Sequence, residues 1–154
     1  MLDEIWKSFK SMSEPILIVD NSASDSEFLL RFLRKKGVAN FVEMLPDGVA
    51  AIDYLSGQEP YSDRLLHPFP SLVFLELAMP NKNGYEVLEW LNAHPEILPP
   101  KVVLHTKAIG IQELERCYRL GANAFFLKQT MEEQFRDLLS RFPDIWEFAD
   151  PAKA

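Results

Sequence analysis

The sequence predicts an α/β fold, a doubly wound five-stranded parallel sheet with helices on both faces. Three observations carry this. Apolar strand-like runs and amphipathic helical stretches alternate five times between Pro15 and Phe142. Several runs are apolar without a break, as in strands buried on both faces, with Leu72-Val73-Phe74-Leu75 the clearest. Capping and turn residues punctuate the alternation where such elements should start and stop.

The first strand is Pro15-Ile16-Leu17-Ile18-Val19, closing on Asp20-Asn21. Ser22 or Ser24 caps a helix through about Lys36, with Phe28, Leu29, Phe32 and Leu33 expected inward and Gly37 as its stop. Phe41 to Met44 reads as a short second strand. Asp47-Gly48 opens a second helix carrying Val49, Ile52 and Leu55. The connection from Ser56 to Pro70 is long for a compact domain, and Tyr61 and Phe69 are expected to pin it down. The third strand follows and ends at Glu76, before Leu77-Ala78-Met79-Pro80 and a helix from about Asn83. Lys101 to Leu104 is the fourth strand, ending at His105-Thr106, and Ile111 to Leu120 is a helix stopped by Gly121. Ala124 to Leu127 is the fifth strand, ending at Lys128, and Met131 to Phe142 is the last helix.

Three regions follow: an amphipathic helix over 1–13, the main domain over 14–143 and a tail over 144–154. In the first, Leu2, Ile5, Trp6, Phe9 and Met12 recur at helical spacing. Such a stripe packs back on its own domain or meets a partner, a second copy included. The packing of the tail, with Trp146 and Phe148, does not follow from the pattern.

Composition narrows the function. The chain has 154 residues, 16 Lys+Arg against 23 Asp+Glu and a formal charge of −7, which disfavours nucleic acid. Its largest basic cluster, Arg31 with Arg34-Lys35-Lys36, suits the negative end of a helix dipole. The single cysteine, Cys117, excludes an internal disulfide and lies in an apolar helical pattern, as a buried thiol would. No apolar run is long enough to span a membrane, and no secretory layout opens the chain, so a cytoplasmic location is expected.

Polar residues collect at the carboxyl ends of the strands: Asp20 and Asn21, Glu76, Thr106 and Lys128. In an open α/β sheet these ends converge on one crevice. With Ile-Leu-Ile-Val-Asp-Asn, Leu-Glu-Leu-Ala-Met-Pro-Asn-Lys-Asn-Gly, Val-Val-Leu-His-Thr and Gly-Ala-Asn-Ala-Phe-Phe-Leu-Lys at those ends, the chain resembles response-regulator receiver domains from Pro15 to Phe142. The long Ser56–Pro70 connection resembles stand-alone receivers that work with phytochrome-type histidine kinases.

The resemblance implies a flavodoxin-like receiver sheet and a signalling role, not an enzyme, acting through a histidine kinase or other signalling protein. By position it makes Asp20 a metal ligand, the Ala78 carbonyl a backbone ligand, Thr106 and Lys128 the phosphoryl-holding pair, and Phe125 the aromatic switch. Three positions depart from the family. Asn21 replaces the second metal-binding acid, Glu76 replaces the phosphoacceptor Asp, and Gln129 replaces the proline after the lysine. The extra methylene of Glu76 shifts the carboxylate by roughly 1.5 Å, one C–C bond. Phosphoryl transfer depends on positioning, and a misplacement of this size costs about a hundredfold. With Asn21 neutral, Mg²⁺ keeps only Asp20, Glu76 and the Ala78 carbonyl, so binding is expected to be weak or absent.

Two expectations follow for Glu76. It pairs with Lys128 where phosphate would sit, leaving a receiver held in one state, or the pair merely keeps the crevice neutral. The alternatives are a conventional Mg²⁺-dependent phospho-accepting receiver and, from another class, a flavodoxin-like cofactor carrier or small hydrolase. Against the last, Asn21 to Asp25 offers no glycine to a flavin phosphate, and no histidine faces Thr106 as a base.

Overall fold

The computed structural model describes residues 14–149, and the amphipathic stretch 1–13 and residues 150–154 lie outside them. Five strands form one sheet: β1 (Ile16–Val19), β2 (Val42–Leu45), β3 (Leu72–Leu75), β4 (Lys101–Leu104) and β5 (Ala124–Phe125). Their order is β2-β1-β3-β4-β5 and every pairing is parallel. The helices are α1 (Ala23–Lys35), α2 (Gly48–Ser56), α3 (Gly84–Asn92), α4 (Ile111–Arg119) and α5 (Met131–Arg141).

Side-chain alternation divides the core into two layers. On one face Leu17, Val19, Val73, Leu75, Val102 and Leu104 meet α2, α3 and α4 through Tyr54, Leu55, Val87, Leu88 and Cys117. On the other, Ile16, Ile18, Leu72, Phe74 and Val103 meet α1 and α5 through Leu29, Leu33, Phe135 and Leu138. Cys117 is buried, and burial pushes its thiol pKa up.

Local expectations are corrected at Phe28, at β2 and at the end of β5. Phe28 is exposed, because α1 buries Ser26, Leu29 and Leu33 instead. In α2, Ala51, Tyr54 and Leu55 turn inward and Val49 stays exposed, a division the sequence had left open. Strand β2 runs one residue later than predicted, and its edge position leaves Glu43 and Met44 only partly covered. The end of β5 loses regular strand geometry after Phe125, yet Phe126 N–H still donates to Leu104 O and Lys128 N–H to Thr106 O.

The 57–71 connection is ordered by its own side chains. Arg64 donates to the carbonyls of Tyr54 and Leu55 at the carboxyl end of α2, a position that suits a cation. Tyr54 donates to Pro68 O, while Tyr61 packs against Tyr54 and His67. The tail is ordered too. Trp146 is buried against Phe135, and Phe148 bridges to Val38 in antiparallel fashion.

Asn40, fully buried, fastens that tail by donating to Ile145 O and accepting from Glu147 N–H. Asn40→Ala strands both groups, so urea unfolding should show a loss of about 1–3 kcal/mol at unchanged slope. A second prediction concerns His105, whose ring sits in the α1/α5 layer between Phe74 and Phe126. Its Nδ1 lies 2.7 Å from the Phe126 carbonyl and must carry the proton, since a carbonyl only accepts. Burial holds the His105 pKa below the usual imidazole range. The unfolded chain then takes up a proton that the fold refuses, so stability is lost as pH falls below about 6.5. Urea unfolding between about pH 7 and 5.5 should show a steeper loss in the native chain than in His105→Gln. Parallel losses would contradict this account.

Candidate functional site

The site lies at the carboxyl ends of β1, β3, β4 and β5, where the sheet register brings distant residues together. Asp20 N–H donates to Leu45 O, Glu76 N–H to Val19 O, and His105 N–H to Leu75 O, which fixes the strand ends side by side. Beyond Glu76 the chain must turn sharply into α3. Gly84 permits it, since a Cβ there would stand 2.5 Å from the Glu76 carbonyl oxygen.

At the centre is the Lys128 ammonium. Its Nζ lies 2.8 Å from Asp20 Oδ2, 2.9 Å from Asp25 Oδ2 and 3.0 Å from Glu76 Oε1. The contacts to Asp25 and Glu76 are aligned hydrogen bonds. The contact with Asp20 is an ion pair, the shortest of the three, made to a buried oxygen. The remaining oxygens turn to backbone: Asp20 Oδ1 accepts from Ser22 N–H at 2.9 Å, and Glu76 Oε2 from Leu77 N–H at 2.7 Å. The glutamate therefore curls back, with one oxygen on the next amide and the other on the lysine.

Burial alone would drive Lys128 toward its neutral form. Contacts with Asp20, Asp25 and Glu76 outweigh it and raise the pKa above the ordinary lysine value. The hydrogen bond from Lys128 likewise holds Asp25 below the usual carboxylate range, against a smaller desolvation effect. Asp25 is the solvent-side member, its side chain 36% exposed against 2% for Asp20. Three carboxylates around one ammonium leave a formal surplus of two negative charges, partly offset by Lys107 near Asp25.

Asp20, Glu76 and Lys128 meet directly. Asn21 is exposed and makes no side-chain hydrogen bond among the described residues. Thr106 is buried and lines an open cavity of about 740 Å³ with Ala78, Tyr85 and Ile109, away from the lysine contacts. Phe125 is half-buried in the α2/α3/α4 layer. Lys128 reaches the pocket without a following proline, its backbone held by Thr106 O. The residue that sequence reasoning missed as a member of this cluster is Asp25. The available signal was its place at the third position of α1, after the Ser22 cap, because α1 starts beside the end of β1.

A divalent cation fits this arrangement poorly. Among the described residues no three carboxylate, histidine or cysteine groups are disposed to hold one. The reason is local: Asp20 and Glu76 spend their oxygens on Lys128 and on backbone N–H groups. Mg²⁺ requires near-octahedral oxygens that the ammonium now occupies.

Comparison with known proteins places this geometry. Response regulator Rcp1 of Synechocystis sp. is 27% identical over 131 residues, covering 85% of this chain and 87% of the relative. The Mn(2+)-bound form of Rcp1 superposes with a TM-score of 0.73 at 25% identity, covering 89% of this chain and 99% of that one. The bacteriophytochrome response regulator AtBRR superposes with a TM-score of 0.75 at 32% identity, covering 89% and 97%. The family model for the response regulator receiver domain matches residues 16–140. Sheet order, strand-end site and family match agree: this chain belongs to the response-regulator receiver domains of two-component signalling.

Proposed function

We propose that this receiver signals by protein–protein contact in a phosphorylation-independent state, with Glu76 as a permanent partner of Lys128. The observation that carries this reading is the 3.0 Å contact between Glu76 Oε1 and Lys128 Nζ. In the family resemblance that lysine holds a phosphoryl oxygen, and here a carboxylate of the chain itself meets it. The glutamate reaches the ammonium while its other oxygen folds back onto the Leu77 amide.

The same contact lowers the acceptor's reactivity in two ways. It neutralises the attacking oxygen, and it spends the cation that would otherwise stabilise charge on a transferring phosphoryl group. The loss of the second metal-binding acid at Asn21 acts in the same direction. A carboxylate carries one charge where a phosphoryl group carries nearly two, so the resulting state mimics phosphorylation only partly. Output passes through a surface read by a histidine kinase or another signalling protein. Such recognition fits the similarity to Rcp1 and the bacteriophytochrome regulators. The chemistry is that of a binding module rather than an enzyme.

The second reading, a Mg²⁺-dependent phospho-accepting receiver, draws on the Mn(2+)-bound form known for Rcp1. Intact-mass spectrometry after incubation with Mg²⁺ and acetyl phosphate separates the two. The expected result is no added phosphoryl group on the native chain and partial modification of Glu76→Asp. Stoichiometric phosphorylation of the native chain would overturn the proposal.

A further inference from the structure

We infer that the apolar stripe of residues 1–13 seats on this chain's own domain, in the open groove between the carboxyl ends of α2 and α3. These residues lie outside the described structure, and Leu2, Ile5, Trp6, Phe9 and Met12 form a stripe whose cover the sequence alone left undecided. The inference is independent of the strand-end cluster and of Glu76.

The groove is an open cavity of about 710 Å³ at the amino end of the sheet, the end opposite Lys128. Leu55 lines it from α2, Trp90 from α3, Phe69 from the connection before β3, and Ile97 and Leu98 from the loop after α3. Leu98 is 86% exposed, so no described residue covers it. The Trp90 ring is held by stacking on His94, whose Nδ1 lies 2.7 Å from Trp90 O. An aromatic wall already fixed in this way takes an apolar side chain without first losing rotamer freedom.

Position selects the occupant. Ser71 N–H donates to Pro15 O at 3.1 Å, so the stripe joins β1 beside a residue only two positions after Phe69. As a helix, a segment of this length reaches about 20 Å, enough to lie across a groove walled by two helices packed about 8–10 Å apart. The other face is already closed at this end, with Trp146 buried against Phe135 and Phe148 bridged to Val38. Charge raises no barrier. Asp3 and Glu4 balance Lys7 and Lys10, and the groove's rim carries Arg64 and Glu96. So short a tether also gives an effective concentration in the millimolar range, which a second copy matches only in concentrated solution.

The test is disulfide trapping in the full chain at micromolar concentration, with Ile5→Cys and Phe9→Cys each paired in turn with Leu98→Cys. Cys117 is buried and stays out of the exchange. Intact mass and non-reducing electrophoresis read the products, and an intrachain disulfide in most molecules supports the seat. Ile111→Cys replaces Leu98→Cys as the control, since Ile111 is 78% exposed and opens α4 at the other end of the sheet. Its yield should be about tenfold lower. Free thiols in both pairs, equal yields with the control, or interchain disulfides alone would overturn the inference, the last assigning the stripe to a second copy. A second readout needs no cysteine. With 5-fluorotryptophan incorporated, Leu98→Glu should move the Trp6 fluorine resonance toward that of free fluorotryptophan and leave that of Trp146 in place. A Trp6 resonance that Leu98→Glu does not move would overturn the inference as well.

Discussion

The pocket depends on one buried ammonium shared among three carboxylates. Coulomb attraction between the largely buried Lys128 and Asp20, Asp25 and Glu76 must offset the cost of desolvating them, least for the solvent-side Asp25. Removing any one partner changes more than a pairwise contact. Loss of the lysine leaves like charges facing one another, whereas loss of one acid leaves the lysine two others. That asymmetry makes Lys128 the member on which the arrangement rests, and it makes the cluster weak evidence for added stability but strong evidence for a fixed pocket state.

The fold supplies the convergence. Parallel pairing in the order β2-β1-β3-β4-β5 brings the ends of β1 and β3 into adjacent register and aligns the end of β5 through β4. The close approach of α3 to the end of β3, permitted by Gly84, restricts where the Glu76 backbone can sit. A longer side chain on a fixed backbone either protrudes or folds back. Here it folds back, because the Leu77 amide and the Lys128 ammonium both donate to its oxygens.

Much of this was legible in the sequence, for identifiable reasons. Buried parallel strands leave unbroken apolar runs, so β1, β3 and β4 stand out, and their last residues name Asp20, Glu76 and Thr106 as neighbours. The Glu76–Lys128 contact was one of the two expectations for Glu76, drawn from both residues standing at strand ends. Weaker signals misled. Phe28 is an apolar residue at the margin of a helix face, and only the rotation of α1 against the sheet decides its exposure. Asp25 was missed as a partner of Lys128 because only its place in the first turn of α1, beside the end of β1, hinted that two residues 103 positions apart meet. The tail was unreadable for a similar reason. Its anchor is Asn40, a polar residue in a loop more than a hundred positions before Glu147.

The most direct test of the central claim is a crystal structure of the native chain grown with Mg²⁺ and beryllium fluoride, a phosphoryl mimic. The account predicts Lys128 Nζ still in contact with Asp20, Asp25 and Glu76, with no fluoroberyllate on Glu76 and no metal between Asp20 and the Ala78 carbonyl. Fluoroberyllate bound to Glu76, with Lys128 turned onto its fluorines and a metal ion on Asp20, would contradict it.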